Sequence, residues 1–167
     1  MIEKSLKNHS QNIVKTNEDI KLGEFENIAG LVIRVAQLKA FDSIHNTLKK
    51  GDADGNILKV GEFTVLQIIS ENRGIRQGTL ADYLQIKWSN MSKLIYSLEG
   101  RELLTRYIPR NNRRSVELDI TDKGLALMNG FKPKILEVEK QCFSMLKDEE
   151  YKTLTSLLRK VADWPEE

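Results

Sequence analysis

At 167 residues, 40% hydrophobic and 30% charged, the chain has room for one domain, or one with elaborated ends, and the balance of an ordinary globular protein. No apolar run approaches the ~20 residues a membrane span needs, and the opening segment lacks the apolar stretch and small-residue cleavage site of a signal peptide. A single cysteine, Cys142, excludes an internal disulfide, so the expected setting is a reducing cytoplasm with no membrane partner.

Residues 1–22 are polar, rich in Asn, Lys and Ser, and read as an arm. From Glu24 to about Lys49 the apolar positions Ile28, Leu31, Val32, Val35, Leu38, Phe41 and Leu48 keep helical spacing and predict a long amphipathic helix. The turn-rich GDADGN follows. A second helix is expected over about Lys59 to Asn72, and RGIRQ connects it to a short helix, Gln77 to Leu84. Another helix is expected from Trp88 to Arg101. Two strands, roughly Leu104 to Ile108 and Ser115 to Ile120, form a hairpin. Thr121 is the expected N-cap of a long helix running towards Leu146, in which Pro133 should kink or interrupt the backbone. A last helix covers about Asp148 to Asp163. The chain thus divides into the arm 1–22, a dimerisation helix 23–50, a lobe 57–120 and C-terminal dimerisation helices 121–167. The terminal helices carry more apolar surface than one small lobe can cover, which points to a homodimer.

The lobe carries the functional signal. Leu80, Ala81 and Leu84 line one short helix, and Met91, Leu94, Ile95 and Leu98 line the next, which is the spacing of a helix-turn-helix. The outer face of the second helix offers Trp88, Ser89, Asn90, Ser92, Lys93 and Tyr96, with Lys87 just before it. These are compact, hydrogen-bonding or basic side chains suited to base edges and phosphates in a major groove. The hairpin beyond it has a tip with Arg110, Arg113 and Arg114 and no acid, so it reads as a wing whose arginines enter a minor groove. Charge agrees. Between Arg73 and Val116 there are nine Lys/Arg against three Asp/Glu, a net +6, whereas the remainder carries −4. Arg73 and Arg106 are further candidates for phosphate. The fold class expected is mainly α with a small β-hairpin wing, a winged helix-turn-helix with long N- and C-terminal dimerisation helices.

Three stretches, VGEFTVLQIISENRG, QGTLADYLQIKWSNMSKLIYSLEGRELL and RRSVELDITDKG, together resemble a MarR-family transcription regulator over about residues 24–162. The resemblance implies a homodimer with interlocked terminal helices, reading a pseudo-palindrome in double-stranded DNA. In many relatives a small aromatic or phenolic effector releases the DNA. By that resemblance an effector pocket would lie near Phe41, His45, Phe63 and Leu66. Three positions depart from the family pattern. Asn112 stands where an acid usually precedes the wing arginines, Glu102 where a glycine usually ends the recognition helix, and Lys87 where a small polar cap is usual. A left-handed cap at Glu102 would be strained, so the helix could end earlier instead.

Other signals are weaker. Cys142 lies on an apolar stripe, where a buried, inert thiol is the common outcome. DADGN starts like a calcium loop but has Ile57 and Phe63 where Gly and Glu are needed. His9 and His45 are the only histidines, and no nucleophile elbow, phosphate-binding glycine loop or metal-ligand cluster is present, so neither an enzyme nor a cofactor is expected. The expected function is a sequence-specific DNA-binding regulator, a repressor. The alternative is a winged-helix module docking an acidic protein.

Overall fold

A computed structural model describes residues 21–52, 55–109 and 115–164. The chain divides into two compact units, one ending at Lys39 and one beginning at Ala40. Within the first, a 3-10 turn at Gly23–Phe25 precedes the opening half of helix α1 (Ala29–Lys50). The helix therefore starts later than Glu24, because Leu22 at the N-cap of the turn has no acceptor for the exposed N–H groups. None of residues 21–39 is buried.

The second unit holds the rest of α1 and then α2 (Val60–Glu71), β1 (Ile75–Arg76), α3 (Gln77–Tyr83) and α4 (Trp88–Gly100). Strands β2 (Leu104–Tyr107) and β3 (Glu117–Ile120) and helices α5 (Asp122–Cys142) and α6 (Asp148–Val161) follow. The sheet is antiparallel in the order β1-β3-β2, with Leu104 opposite Ile120, Tyr107 opposite Glu117, and Arg76 opposite Glu117 on the other side. Strand β1 corrects the expectation of a plain connection at RGIRQ. Gly74 at φ 77° turns the chain so that its N–H reaches the Leu118 carbonyl at 2.9 Å, and Gln77 N–H reaches Val116 at 2.8 Å.

One core joins these elements. Leu48 of α1, Val65, Leu66 and Ile69 of α2, Leu80 of α3, and Met91, Ile95 and Leu98 of α4 are buried against Leu104, Leu118 and Ile120 of the sheet. Phe131 of α5 is fully buried with them. Burial of each large side chain is worth roughly 1.5–3 kcal/mol, so the apolar faces hold the lobe together.

Helix ends follow identifiable devices. Thr121 caps α5, its Oγ1 accepting from Gly124 N–H at 3.0 Å. Helix α4 does not avoid the strained cap by ending earlier: its last residue is Gly100, its C-cap is Arg101, and Glu102 takes the left-handed conformation at φ 61°. The Leu103 N–H returns to the Leu98 carbonyl at 3.0 Å and the Glu102 N–H to Glu99 at 2.8 Å, a Schellman closure without glycine. Gln85, at φ 53°, ends α3 in the same way, with Ile86 N–H on the Ala81 carbonyl at 2.9 Å. Pro133 does not interrupt α5, which continues through it to Cys142. Pro133 and Asn129 are both exposed, so the carbonyl deprived of its intrahelical donor faces water. The helix stops short of Leu146 because Glu150 caps the next one, accepting from Lys147 N–H at 2.8 Å.

Candidate nucleic-acid interface

Helices α3 and α4 meet on Leu80, Ala81, Met91, Ile95 and Leu98, all buried. That packing turns the opposite side of α4 outward, and Lys87, Trp88, Ser89, Asn90, Lys93 and Tyr96 are exposed there. Trp88 is 57% exposed, so it does not plug the motif's core; its ring lies beside Gly78 of α3. Ser92 is half-buried, and its Oγ accepts from Gln77 Nε2 at 3.0 Å while its own proton remains to be donated. Gln77 is buried and braces the two helices, a role the sequence pattern had not suggested. Lys87 offers no side-chain cap to α4, as an ammonium can only donate.

The basic residues fall into two groups. Arg106 binds Glu99 through Nε at 2.8 Å and a terminal nitrogen at 2.7 Å, and its guanidinium stacks over the Tyr96 ring at 4.3 Å. The Glu99 hydrogen bond, then Tyr96, hold its pKa above the ordinary arginine range. Arg73 pairs with Asp119 at 3.6 Å, and Arg101 with Glu62 at 3.2 Å. Arg76, Lys87 and Lys93 make no ion pair among the described residues. Arg110, Arg113 and Arg114, with Asn112, lie outside the described residues, although β2 and β3, which flank them, are in place. Among the described residues no three His, Cys, Asp or Glu gather as a metal site, and no helix is long and apolar enough to cross a membrane.

A helix-turn-helix bounded by a three-stranded sheet has counterparts among known proteins. A family model, the MarR family, matches residues 58–116. The solved transcriptional repressor CouR, bound to a 23-mer DNA duplex, is 29% identical, with a TM-score of 0.75 over 86% of this chain and 98% of that one. The HTH-type transcriptional regulator MhqR of Bacillus subtilis (strain 168) is 26% identical over 123 residues, 74% of this chain and 84% of that protein. The uncharacterized HTH-type regulator YpoP of the same organism is 28% identical over 123 residues, 74% of this chain and 86% of that protein. Residues 58–116 form a MarR-family domain. The chain is a winged-helix, DNA-binding transcription regulator, and its relatives are regulators rather than enzymes.

Within that domain α4 is the second helix of the helix-turn-helix. The residues expected near an effector are differently placed. Phe41 and His45 of α1 are exposed, Phe63 of α2 is half-buried against the core, and Leu66 is fully buried within it. Ile44 and Leu48 are the α1 side chains that pack into the lobe. Cys142, near the end of α5, is half-buried and free.

Proposed function

We propose that this MarR-family regulator is a homodimeric repressor of a pseudo-palindromic operator. The carrying observation is the polar and basic face of α4, turned outward by a fully apolar opposite face. Ser89, Asn90, Ser92 and Tyr96 would read the major groove, Trp88 would lie against the sugar-phosphate backbone, and Lys87 and Lys93 would hold phosphates. Arg110, Arg113 and Arg114 would enter the minor groove. Arg76 joins the phosphate group because its charge is uncommitted. Arg73 and Arg106 would reach phosphate only by sharing or leaving Asp119 and Glu99.

Two sets of exposed apolar side chains support dimerisation. Phe25, Val32, Val35 and Leu38 are each 47–58% exposed in the first unit, and Leu136, Met145 and Val161 are 62–75% exposed in the second. Surfaces of that kind mark protein interfaces. One recognition helix also buries too little area for tight specific binding, which a second copy remedies. The division into arm, dimerisation helices and lobe belongs to this reading. So does release by a small aromatic or phenolic effector near Phe41, His45, Phe63 and Leu66, which requires α1 and α2 to part enough to uncover Leu66.

The test is fluorescence anisotropy on the intergenic duplex beside the protein's own gene, against unrelated DNA, over a range of salt. Preferential binding that falls steeply with salt supports the reading. Equal, weak binding to both duplexes sinks it and favours an acidic protein partner.

A further inference from the structure

We infer that Glu62 of α2 is a positioning residue that sets the angle of the recognition helix from its far end. The inference rests on the sequence-reading function proposed above. Glu62 is a carboxylate only 6% exposed, in the lobe's core wall. A buried carboxylate is tolerated when hydrogen-bonded and paired. Its Oε2 accepts from Lys59 N–H at 3.0 Å and from an Arg101 terminal nitrogen at 3.2 Å; its Oε1 accepts from Ser97 Oγ at 3.3 Å. The Lys59 bond is a local cap of α2. The other two are not local: Ser97 lies in the last turn of α4, and Arg101 is its C-cap. The second terminal nitrogen of Arg101 donates to the Ile57 carbonyl at 2.6 Å, in the segment leading out of α1. One guanidinium therefore ties the end of α4 to both the start of α2 and the connection before it.

The leverage is geometric. Helix α4 has 13 residues, so its reading end lies about 20 Å from this clamp at 1.5 Å per residue. A swing of about 5° at Arg101 would carry the base-reading Ser89 and Asn90, about 17 Å away, roughly 1.5 Å, about three times the ~0.5 Å tolerance of a positioned recognition group. Base-edge bonds would be lost by such a swing, whereas phosphate contacts, which tolerate sliding, would survive. Loss of the clamp should lower specific binding and leave non-specific binding intact.

The experiment uses the full-length protein. A duplex is enriched from a random-sequence pool by the wild type, and anisotropy gives the ratio of affinities for that duplex and a scrambled one. Glu62→Gln keeps an oxygen for Lys59 but removes the charge that holds Arg101. Arg101→Lys keeps the charge but removes the fork. Each variant should lose about tenfold in the ratio, equal to about 1.4 kcal/mol. The double variant should lose no more than either alone, as expected for two partners in one contact. A folded Glu62→Gln protein with the wild-type ratio overturns the inference, as do losses that simply add. Tighter binding of Glu62→Gln to both duplexes also overturns it, since that marks Glu62 as an acid opposing DNA. Should Glu62→Gln fail to fold, the ratio for Arg101→Lys decides by the same criterion. Failure of the wild type to enrich any sequence removes the DNA-reading function itself, a result distinct from an unaffected Glu62→Gln.

Discussion

Replacing Gly124 with alanine should destabilise the lobe more than any other glycine substitution in α5. Gly124 is buried in the first turn of the helix, where Thr121 caps its N–H. A Cβ there would overlap the Leu103 carbonyl oxygen and lie 2.8 Å from Ile120 Cγ1. The same carbonyl accepts Thr121 N–H at 3.2 Å, so it cannot move away without opening the junction between sheet and helix. Overpacking a tight core site costs about 1–3 kcal/mol or more, and one neutral hydrogen bond contributes about 1 kcal/mol. Alanine returns about 1 kcal/mol through helix propensity. The net is a loss of about 1–3 kcal/mol, or roughly 2–12 °C in Tm for a chain of this size. Gly130→Ala, later in α5, is the control. It is exposed, and its Cβ would meet only Asp52 Cβ at 3.7 Å, so it should stabilise by about 0.5–1 kcal/mol. Urea titrations followed by circular dichroism, at one protein concentration, would measure both. A Gly124→Ala midpoint within error of wild type would refute the close-approach argument.

Three further outcomes are expected. Gln85→Gly, in the turn of the helix-turn-helix, removes left-handed strain and should raise stability by about 0.5–1 kcal/mol, read as a higher urea midpoint, with DNA affinity unchanged. Tyr151 donates to Glu139 at 2.9 Å, and burial, then that bond, raises its pKa. The pair's contribution is complete below the ordinary tyrosine range and is lost as pH rises through the raised value. Thermal melts between about pH 9 and pH 11 should therefore show a smaller decline for Tyr151→Phe than for wild type, although Tyr151→Phe starts lower. Arg113→Ala with Arg114→Ala should reduce the slope of log affinity against log salt by about 1.8 per protomer, and an unchanged slope would remove both residues from the interface.

The helices were legible in the sequence because each buries one continuous face. The spacing of Leu80, Ala81, Met91, Ile95 and Leu98 places α3 and α4 within a residue of their observed ends, and Thr121 announces α5. Strand β1 was not legible, since two residues carry no alternation and the strand exists only because β3 offers an unpaired edge. Nor was the tolerance of Pro133, which depends on Asn129 facing water. Glu62 and Arg101 lie 39 positions apart and belong to no motif, so their contact emerges only from packing. The close approach of the Leu103 carbonyl to Gly124 likewise emerges only from packing.

Charge shows the same limit in a way that bears on function. Counted along the chain, Arg73 to Val116 carries nine cations, and all nine look available to DNA. In the fold Arg73, Arg101 and Arg106 are committed to Asp119, Glu62 and Glu99. Two of these pairs fix α4: Glu62 holds its C-cap arginine, and Glu99 draws Arg106 over Tyr96. On the proposed reading such pairs place the reading side chains rather than add attraction, an exposed ion pair being worth at most about 1 kcal/mol. The long-range attraction would then fall to Arg76, Lys87, Lys93 and the three wing arginines, so that affinity and specificity would be carried by different basic residues. Changing the first set should alter salt dependence across all DNA, and changing the second should alter which DNA is chosen.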